Sequence, residues 1–237
     1  MTYTDNGYSH IAPEYYDPSA HPTCHNFSRL SRRIITEALN QCKRDEKILE
    51  LGAGSSSAAA ALSAYGLDLY NLEITDFSEP MLAHSNRWIP FGASLSVADA
   101  TDLRHSSESI DWVVAGLADP YNTMKFWESI ARVLRSGARA VVTLPSFEWA
   151  TRFRTESAPE HFQSASFLLR DGSSISVPSY LYSFSDQCRM IEASGLYIKQ
   201  YYSLGLDDLR SEVVSKKLNV FGKSFSSVVC GFVLIKT

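Results

Sequence analysis

The sequence predicts an α/β fold, a mostly parallel sheet with helices on both faces, and three observations carry that prediction. From Lys47 onward, short β-branched runs alternate with helical patterns, the signature of βαβ units rather than of a sandwich or a bundle. Several of those runs are apolar at both alternations, as strands covered on both faces must be. One of them, Lys47–Leu51, leads straight into a glycine-bearing turn and then a helical pattern. The 237 residues are 45% hydrophobic and 20% charged, enough for one large core and too little charge for a disordered chain. The chain reads as one domain over 1–237: an arm and helix at 1–46, a core at 47–146, a cap insertion at 147–183, and the rest of the sheet at 184–237.

The expected elements follow in order. Met1–Cys24 is polar, tyrosine-rich and irregular, so it reads as an arm or lid outside the core. Phe27, Leu30, Ile34 and Ala38 then share one helical face. The candidate strands are Lys47–Leu51, Leu69–Ile74, Ser94–Ala98, Asp111–Ala115, Arg139–Leu144, Leu196–Tyr202 and Val228–Lys236. Between them, Ser56–Tyr65 is alanine-rich and stopped by Gly66, and Ser78–Trp88 opens on a capping serine with Pro80 in its first turn. Asn122–Leu134 repeats Trp127, Ile130, Ala131 and Leu134 at helical spacing, with Gly137 for the turn beyond its end. Phe184–Ala193 starts after the capping Ser183 and stops at Gly195. In the cap, SASFLL and SISVPSYLY flank RDGSS, a β-hairpin in which Asp-Gly accommodates positive φ.

Charge and composition narrow the function. With 22 basic against 26 acidic residues, the net charge of −4 gives no reason to grip a polyanion, so nucleic acid is set aside as a partner. The amino terminus has no basic region followed by an apolar core, and no apolar stretch approaches the ~20 residues of a membrane span. A cytoplasmic location without a membrane partner is expected. Cys24, Cys42, Cys188 and Cys230 are scattered, so reduced thiols are expected. His21, Cys24 and His25 lack a fourth ligand at zinc spacing, and no metal site is expected.

The chemistry concentrates in ILELGAGSSS, Ile48–Ser57. Gly52 and Gly54 let the backbone approach a ligand, and the following helix start offers unpaired N–H groups. Glu50 beside the turn repels a pyrophosphate and attracts an ammonium, which favours a cationic ligand bearing an amino acid over a dinucleotide. This segment resembles the first motif of class I S-adenosylmethionine-dependent methyltransferases, an acidic residue followed by G-x-G-x-G, with Ser56 in the third glycine's place. The likeness continues in order. ITDFSEPML at Ile74–Leu82 is similar to the family's second-strand end, D-x-S-x-x-M-L, and VADATDL at Val97–Leu103 to its third. SIDWVVA at Ser109–Ala115 and RVLRSGARAVVTLP at Arg132–Pro145 are similar to its fourth and fifth strands, and a final pair of strands completes it.

The resemblance covers about Lys47 to Lys236 and implies a Rossmann-like methyltransferase fold of seven strands, ordered 3-2-1-4-5-7-6 with the last antiparallel. It implies S-adenosyl-L-methionine as cofactor. By resemblance, Glu50 and the turn Gly52, Ala53 and Gly54 face the methionine moiety. Asp76, with Phe77 beside it, accepts from the ribose hydroxyls, Glu73 being the alternative carboxylate, and helix capping being Asp76's bland role. Asp99 accepts from the adenine amino group and the Ala100 backbone meets the ring, while Asp102 caps a turn. Ala115 and Gly116 flank the methyl group, Leu117 packs on the cofactor, and Tyr16 in YYD touches the donor as tyrosine-bearing arms do.

On the acceptor side, methyl transfer needs alignment above all, and a base only where a proton must leave. Asp119-Pro120-Tyr121 is similar to the D-P-P-Y motif of amino-methyltransferases but lacks its second proline and starts later after the strand. Asp119 and Tyr121 are therefore acceptor-side candidates, with a cofactor-side or structural loop as the competing reading. His161 in the cap is the candidate base, against a plain lid histidine; His84 and His105 are given no role. Phe147, Trp149, Phe153 and Phe162 are candidates to line an apolar pocket or to pack in the core. The expected function is transfer of a methyl group to an O or N atom of a small molecule. The alternatives are a methyltransferase acting on RNA or protein, and a non-catalytic S-adenosylmethionine-binding partner protein.

Overall fold

The computed structural model describes residues 7–152, 163–209, 215–221 and 227–237. Its strands are β1 (Ile48–Leu51), β2 (Leu72–Asp76), β3 (Ser94–Val97), β4 (Ile110–Ala115), β5 (Leu134–Pro145), β6 (Ser164–Leu168), β7 (Ser174–Pro178), β8 (Leu196–Leu204) and β9 (Val229–Lys236). Seven of them form one sheet in the order β3-β2-β1-β4-β5-β9-β8, while β6 and β7 pair apart as the expected antiparallel hairpin. β1 to β5 pair in parallel, and β9 runs antiparallel to both β5 and β8. With the hairpin strands set aside, this is the order that the resemblance implies.

The helices are α1 (Tyr8–Ile11), α2 (Pro22–Leu39), α3 (Ser57–Ala64), α4 (Glu79–Leu82), α5 (Met124–Val133), α6 (Phe147–Thr151), α7 (Phe184–Ala193) and α8 (Lys216–Phe221). β1 is buried at every position, and so are the last four of β4 and the last six of β5, which requires cover on both faces. α2 supplies it through Phe27, Leu30, Ile34, Ile35 and Ala38, packing on α3, β5 and β9. α5 supplies it through Phe126, Trp127, Ile130 and Val133, packing on β5 and α7. Each such side chain contributes roughly 1.5–3 kcal/mol on burial, so these stripes hold the sheet in its layered position. Among the described residues, no helix is long and apolar enough to cross a membrane.

Four expectations change. β2 starts at Leu72, because Leu69 closes a turn in which its carbonyl accepts from Leu72 N at 3.0 Å. The helix expected at Ser78–Trp88 is α-helical only over α4 and continues as a 3₁₀ helix, Ala83–Phe91. Ser85 Oγ donates to the Gly54 carbonyl, and Arg87 and Trp88 donate to that of Ser55, which draws this segment against the glycine turn. β5 takes over directly from α5 at Leu134, so Gly137, at φ +77°, lies within the strand rather than in a turn before it. The amino-terminal arm is not wholly outside the core: Ile11 and Ala12 are fully buried, and Ala12's carbonyl meets His84 Nε2 at 2.8 Å.

Candidate active site

In the parallel register Glu50 lies opposite Ile74 and Val114, and Asp76 opposite Val97, so the carboxyl ends of the first four strands come level. The glycine turn hangs from the end of β1. Gly52 and Gly54 stand at φ +58° and +48°, which L side chains rarely adopt. A Cβ on Gly52 would also overlap the Tyr121 hydroxyl, and one on Gly54 the Tyr16 hydroxyl. Both phenols hold the turn: Tyr121 Oη donates to the Leu51 carbonyl at 2.9 Å, and Tyr16 Oη accepts from Ser55 N at 2.8 Å. Two tyrosines, one from the arm and one from the segment after β4, thus clasp the backbone that the sequence reserves for a ligand.

Ser56, in the third glycine's place, also has positive φ, +55°. Its hydroxyl donates to Glu50 Oε2 and accepts from Ala59 N at 2.9 Å, so it caps α3 and ties Glu50 to it. Glu50 Oε1 accepts from Ser57 N at 2.8 Å and Ala58 N at 2.9 Å. Burial nevertheless pushes the Glu50 carboxyl up to about 7, against those hydrogen bonds and the charge of Arg32. Asp76 accepts from Gly54 N on one oxygen and Ser78 N on the other, each at 2.9 Å, and burial raises its carboxyl too. Ser78, not Asp76, provides the side-chain cap of α4. Asp99 Oδ1 accepts from the backbone N and the hydroxyl of Thr101 at 2.8 and 2.7 Å. Glu73 turns to Ser96 and His105 instead, at 2.6 and 2.9 Å.

A cavity of about 390 Å³ lies over these strand ends. It is lined by the predicted residues Tyr16, Glu50, Gly52, Ala53, Asp76, Phe77, Asp99, Ala100, Gly116 and Leu117. Two predicted residues do not line it: Gly54 lies beneath the Tyr16 hydroxyl, and Ala115 is fully buried in β4. Tyr121, expected on the acceptor side, lines this cavity, because its hydroxyl reaches back to β1; burial raises its phenol well above the usual value. Ser28, Ser31 and Arg32 of α2 line it as well, and sequence reading passed over them. The signal was present: they fall at i, i+3 and i+4, a polar stripe beside the apolar face of α2. The lining carries three carboxylates, Glu50, Asp76 and Asp99, and one guanidinium, Arg32.

A second cavity, about 540 Å³, shares Tyr8, Tyr15 and Leu117 with the first. Asp119 faces this one, with Ser179 Oγ donating to its carboxylate at 2.5 Å. Trp149 lines it, whereas Phe147 lines a separate groove beside β8 and β9. His161, Phe153 and Phe162 lie outside the described residues. His21 Nε2 meets Glu14 Oε1 at 3.0 Å, and among the described residues no three His, Cys, Asp or Glu side chains are grouped to hold a metal ion.

Residues 48–137 match the family model described as a methyltransferase domain. Over this segment the chain is similar to methyltransferase domains. A demethylmenaquinone methyltransferase of Clavibacter sepedonicus is 36% identical over 101 residues, 41% of this chain and 40% of the relative, so the match spans under half of either protein. Among solved structures, the fold resembles a chain of the complex between the Haloferax volcanii Trm112 methyltransferase activator and a methyltransferase, with TM-score 0.67, 17% identity and 98% of each chain covered. It also resembles geranyl diphosphate C-methyltransferase from Streptomyces coelicolor A3(2) in complex with S-adenosyl-L-homocysteine, with TM-score 0.64 and 14% identity over 88% of this chain and 76% of that one. Within the matched segment lie the glycine turn and the carboxylates Glu50, Asp76 and Asp99 of the cavity lining. Tyr8, Tyr15, Phe167 and Lys217, which line the second cavity, come from outside the matched segment.

Proposed function

We propose that this protein is an S-adenosylmethionine-dependent methyltransferase that transfers a methyl group to an O or N atom of a small molecule. One observation carries the reading: three carboxylates at successive strand ends and a single guanidinium face a cavity floored by the glycine turn. The charges suit a donor that is a zwitterion at one end and a nucleoside at the other. The donor supplies an activated methyl group on a positively charged sulfur.

The residues of this chain bind and orient it. Arg32 meets the methionine carboxylate, and Glu50 with the turn at Gly52 and Ala53 meets the ammonium group. Asp76, whose carboxylate has capacity beyond its two backbone bonds, accepts from the ribose hydroxyls, with Phe77 against the nucleoside. Asp99 and Ala100 take the adenine, Gly116 leaves room near the methyl group, and Tyr16 closes the site from the arm. The names of two similar proteins support a small acceptor: they specify demethylmenaquinone and geranyl diphosphate.

Calorimetry with S-adenosylhomocysteine tests the donor half, and binding is expected. Incubating the protein with labelled donor and cell extract, then separating the products after nuclease or protease treatment, tests the acceptor half. Label in a low-mass fraction indifferent to both treatments is expected. Label lost to nuclease or protease assigns RNA or protein as acceptor, and tight donor binding with no transfer at all assigns a non-catalytic role.

A further inference from the structure

The second cavity lies next to the proposed donor cavity across three shared side chains, Tyr8, Tyr15 and Leu117. Leu117 has φ +52°, a conformation that costs a non-glycine residue of the order of 1–3 kcal/mol and persists only where the surroundings impose it. Thr143 imposes it: its hydroxyl accepts from Leu117 N and its carbonyl from Ala118 N, each at 2.9 Å. The strain is thus stored at the boundary between the two cavities, just beyond β4.

The walls of the second cavity are rings. Tyr8, Tyr15 and Phe167 form one cluster, with centroids 6.1 to 6.4 Å apart, and the His21 ring stands edge-on to Phe167 at 5.4 Å. Phe27 and Trp149 form a second pair, 4.8 Å apart and nearly perpendicular. The rings come from four separate places in the chain, the arm, α2, α6 and β6, and they converge on one space. Backbone and side-chain contacts join the hairpin to the arm beside it: Arg170 N donates to the Glu14 carboxylate and the Arg170 guanidinium pairs with Asp17. Among the described residues the lining carries one carboxylate, Asp119, one ammonium, Lys217, which lies over the Trp149 ring, and the His21 imidazole, which meets Glu14.

We infer that the second cavity is the acceptor site and takes a flat, uncharged aromatic ring compound. The inference rests on the proposed methyl transfer only for the word acceptor; the ring site itself is independent of it. Offset and edge-to-face ring contacts favour a flat aromatic guest over a saturated one of equal size, by roughly threefold to tenfold for each good contact. A phosphorylated or diphosphate guest would meet the Asp119 carboxylate in the wall, which disfavours it.

The test uses the full chain and three probes: naphthol, its saturated counterpart decahydronaphthol, and naphthyl phosphate. Binding is read by calorimetry and by tryptophan emission, with and without S-adenosylhomocysteine. Naphthol is expected to bind at least fivefold more tightly than either other probe. Phe167→Leu, which keeps apolar bulk but removes the ring, is expected to lower that preference threefold or more, and Phe167→Tyr to restore it. Equal binding of naphthol and decahydronaphthol, preferred binding of naphthyl phosphate, or a preference indifferent to Phe167→Leu would each overturn the inference. Donor binding without naphthol binding rejects the ring site and leaves the proposed function standing. Naphthol binding without donor binding rejects the proposed function and leaves the ring site.

Discussion

The two adjoining cavities are built in opposite ways. The first is made of strand ends, backbone amides and carboxylates, and most of its lining falls within one continuous stretch of the chain, from Glu50 to Tyr121. The second is made of side chains from the arm, α2, α6, the hairpin and α8, which meet only because the chain folds back over its own sheet. A site of the first kind is positioned by sheet register and tolerates little change in its backbone. A site of the second kind is positioned by packing and can change its lining without disturbing the sheet.

The largest expected effect breaks the first cavity at its backbone. Gly52→Val adds a branched side chain at φ +58°, where the Tyr121 hydroxyl already stands. We expect loss of measurable S-adenosylhomocysteine binding and a stability cost of several kcal/mol in urea unfolding. Phe167→Leu on the second cavity should cost no more than about 1 kcal/mol of stability by the same measurement, and a cost as large as that of Gly52→Val would erase the contrast.

The next effect follows pH. The Glu50 carboxyl rises from its ordinary value near 4.5 to about 7 when buried, so the folded protein binds this proton more tightly than the unfolded chain does. The stability it contributes is full below about pH 4.5 and is lost as pH rises through about 7, of the order of 3 kcal/mol at most. Unfolding free energy of the ligand-free protein, measured between those limits, should fall with rising pH, and Glu50→Gln should flatten that slope. Donor affinity should move the other way, because a cation beside Glu50 favours its ionised form. A wild-type slope that Glu50→Gln leaves intact would reject the assignment.

Smaller in scale, Asp76→Ala removes the partner of two backbone amides and of the proposed ribose contact. A loss on the order of 1.5–3 kcal/mol in donor binding is expected by calorimetry, one to two decades in affinity. The smallest effect belongs to Ser56→Gly. It relieves a positive φ but removes the hydroxyl that joins Glu50 to the start of α3, so the two changes offset to within about 1 kcal/mol in urea unfolding. A loss well beyond that would make the serine a required part of the site rather than a tolerated substitute for glycine.

The contrast between the cavities is also the contrast in what could be read from the chain. The alternation of strands and helices and the hairpin around Asp171-Gly172 follow from local pattern, because strands in a parallel sheet end where the apolar runs stop, while the strand order and the places of Glu50, Asp76 and Asp99 follow from the motif resemblance. Local pattern misjudged residues whose role depends on a distant partner. Tyr121 belongs to the first cavity because its hydroxyl reaches Leu51, 70 positions earlier, and Arg32 faces it only because α2 packs beside the glycine turn.

The sequence by itself determined the strands, their alternation with helices and the glycine turn after β1, since each depends on the period of apolar residues and on local backbone freedom, and its resemblance to a known family implied the strand order and the carboxylates at the strand ends. Only the tertiary structure decided that Tyr16 and Tyr121 clasp the glycine turn, that Asp119 lines the second cavity and not the first, and that rings from Tyr8 to Trp149 line that second space. The physical reason is reach. Periodicity records which face of an element is buried, but which residues meet across that face is set by how elements far apart in the chain pack together.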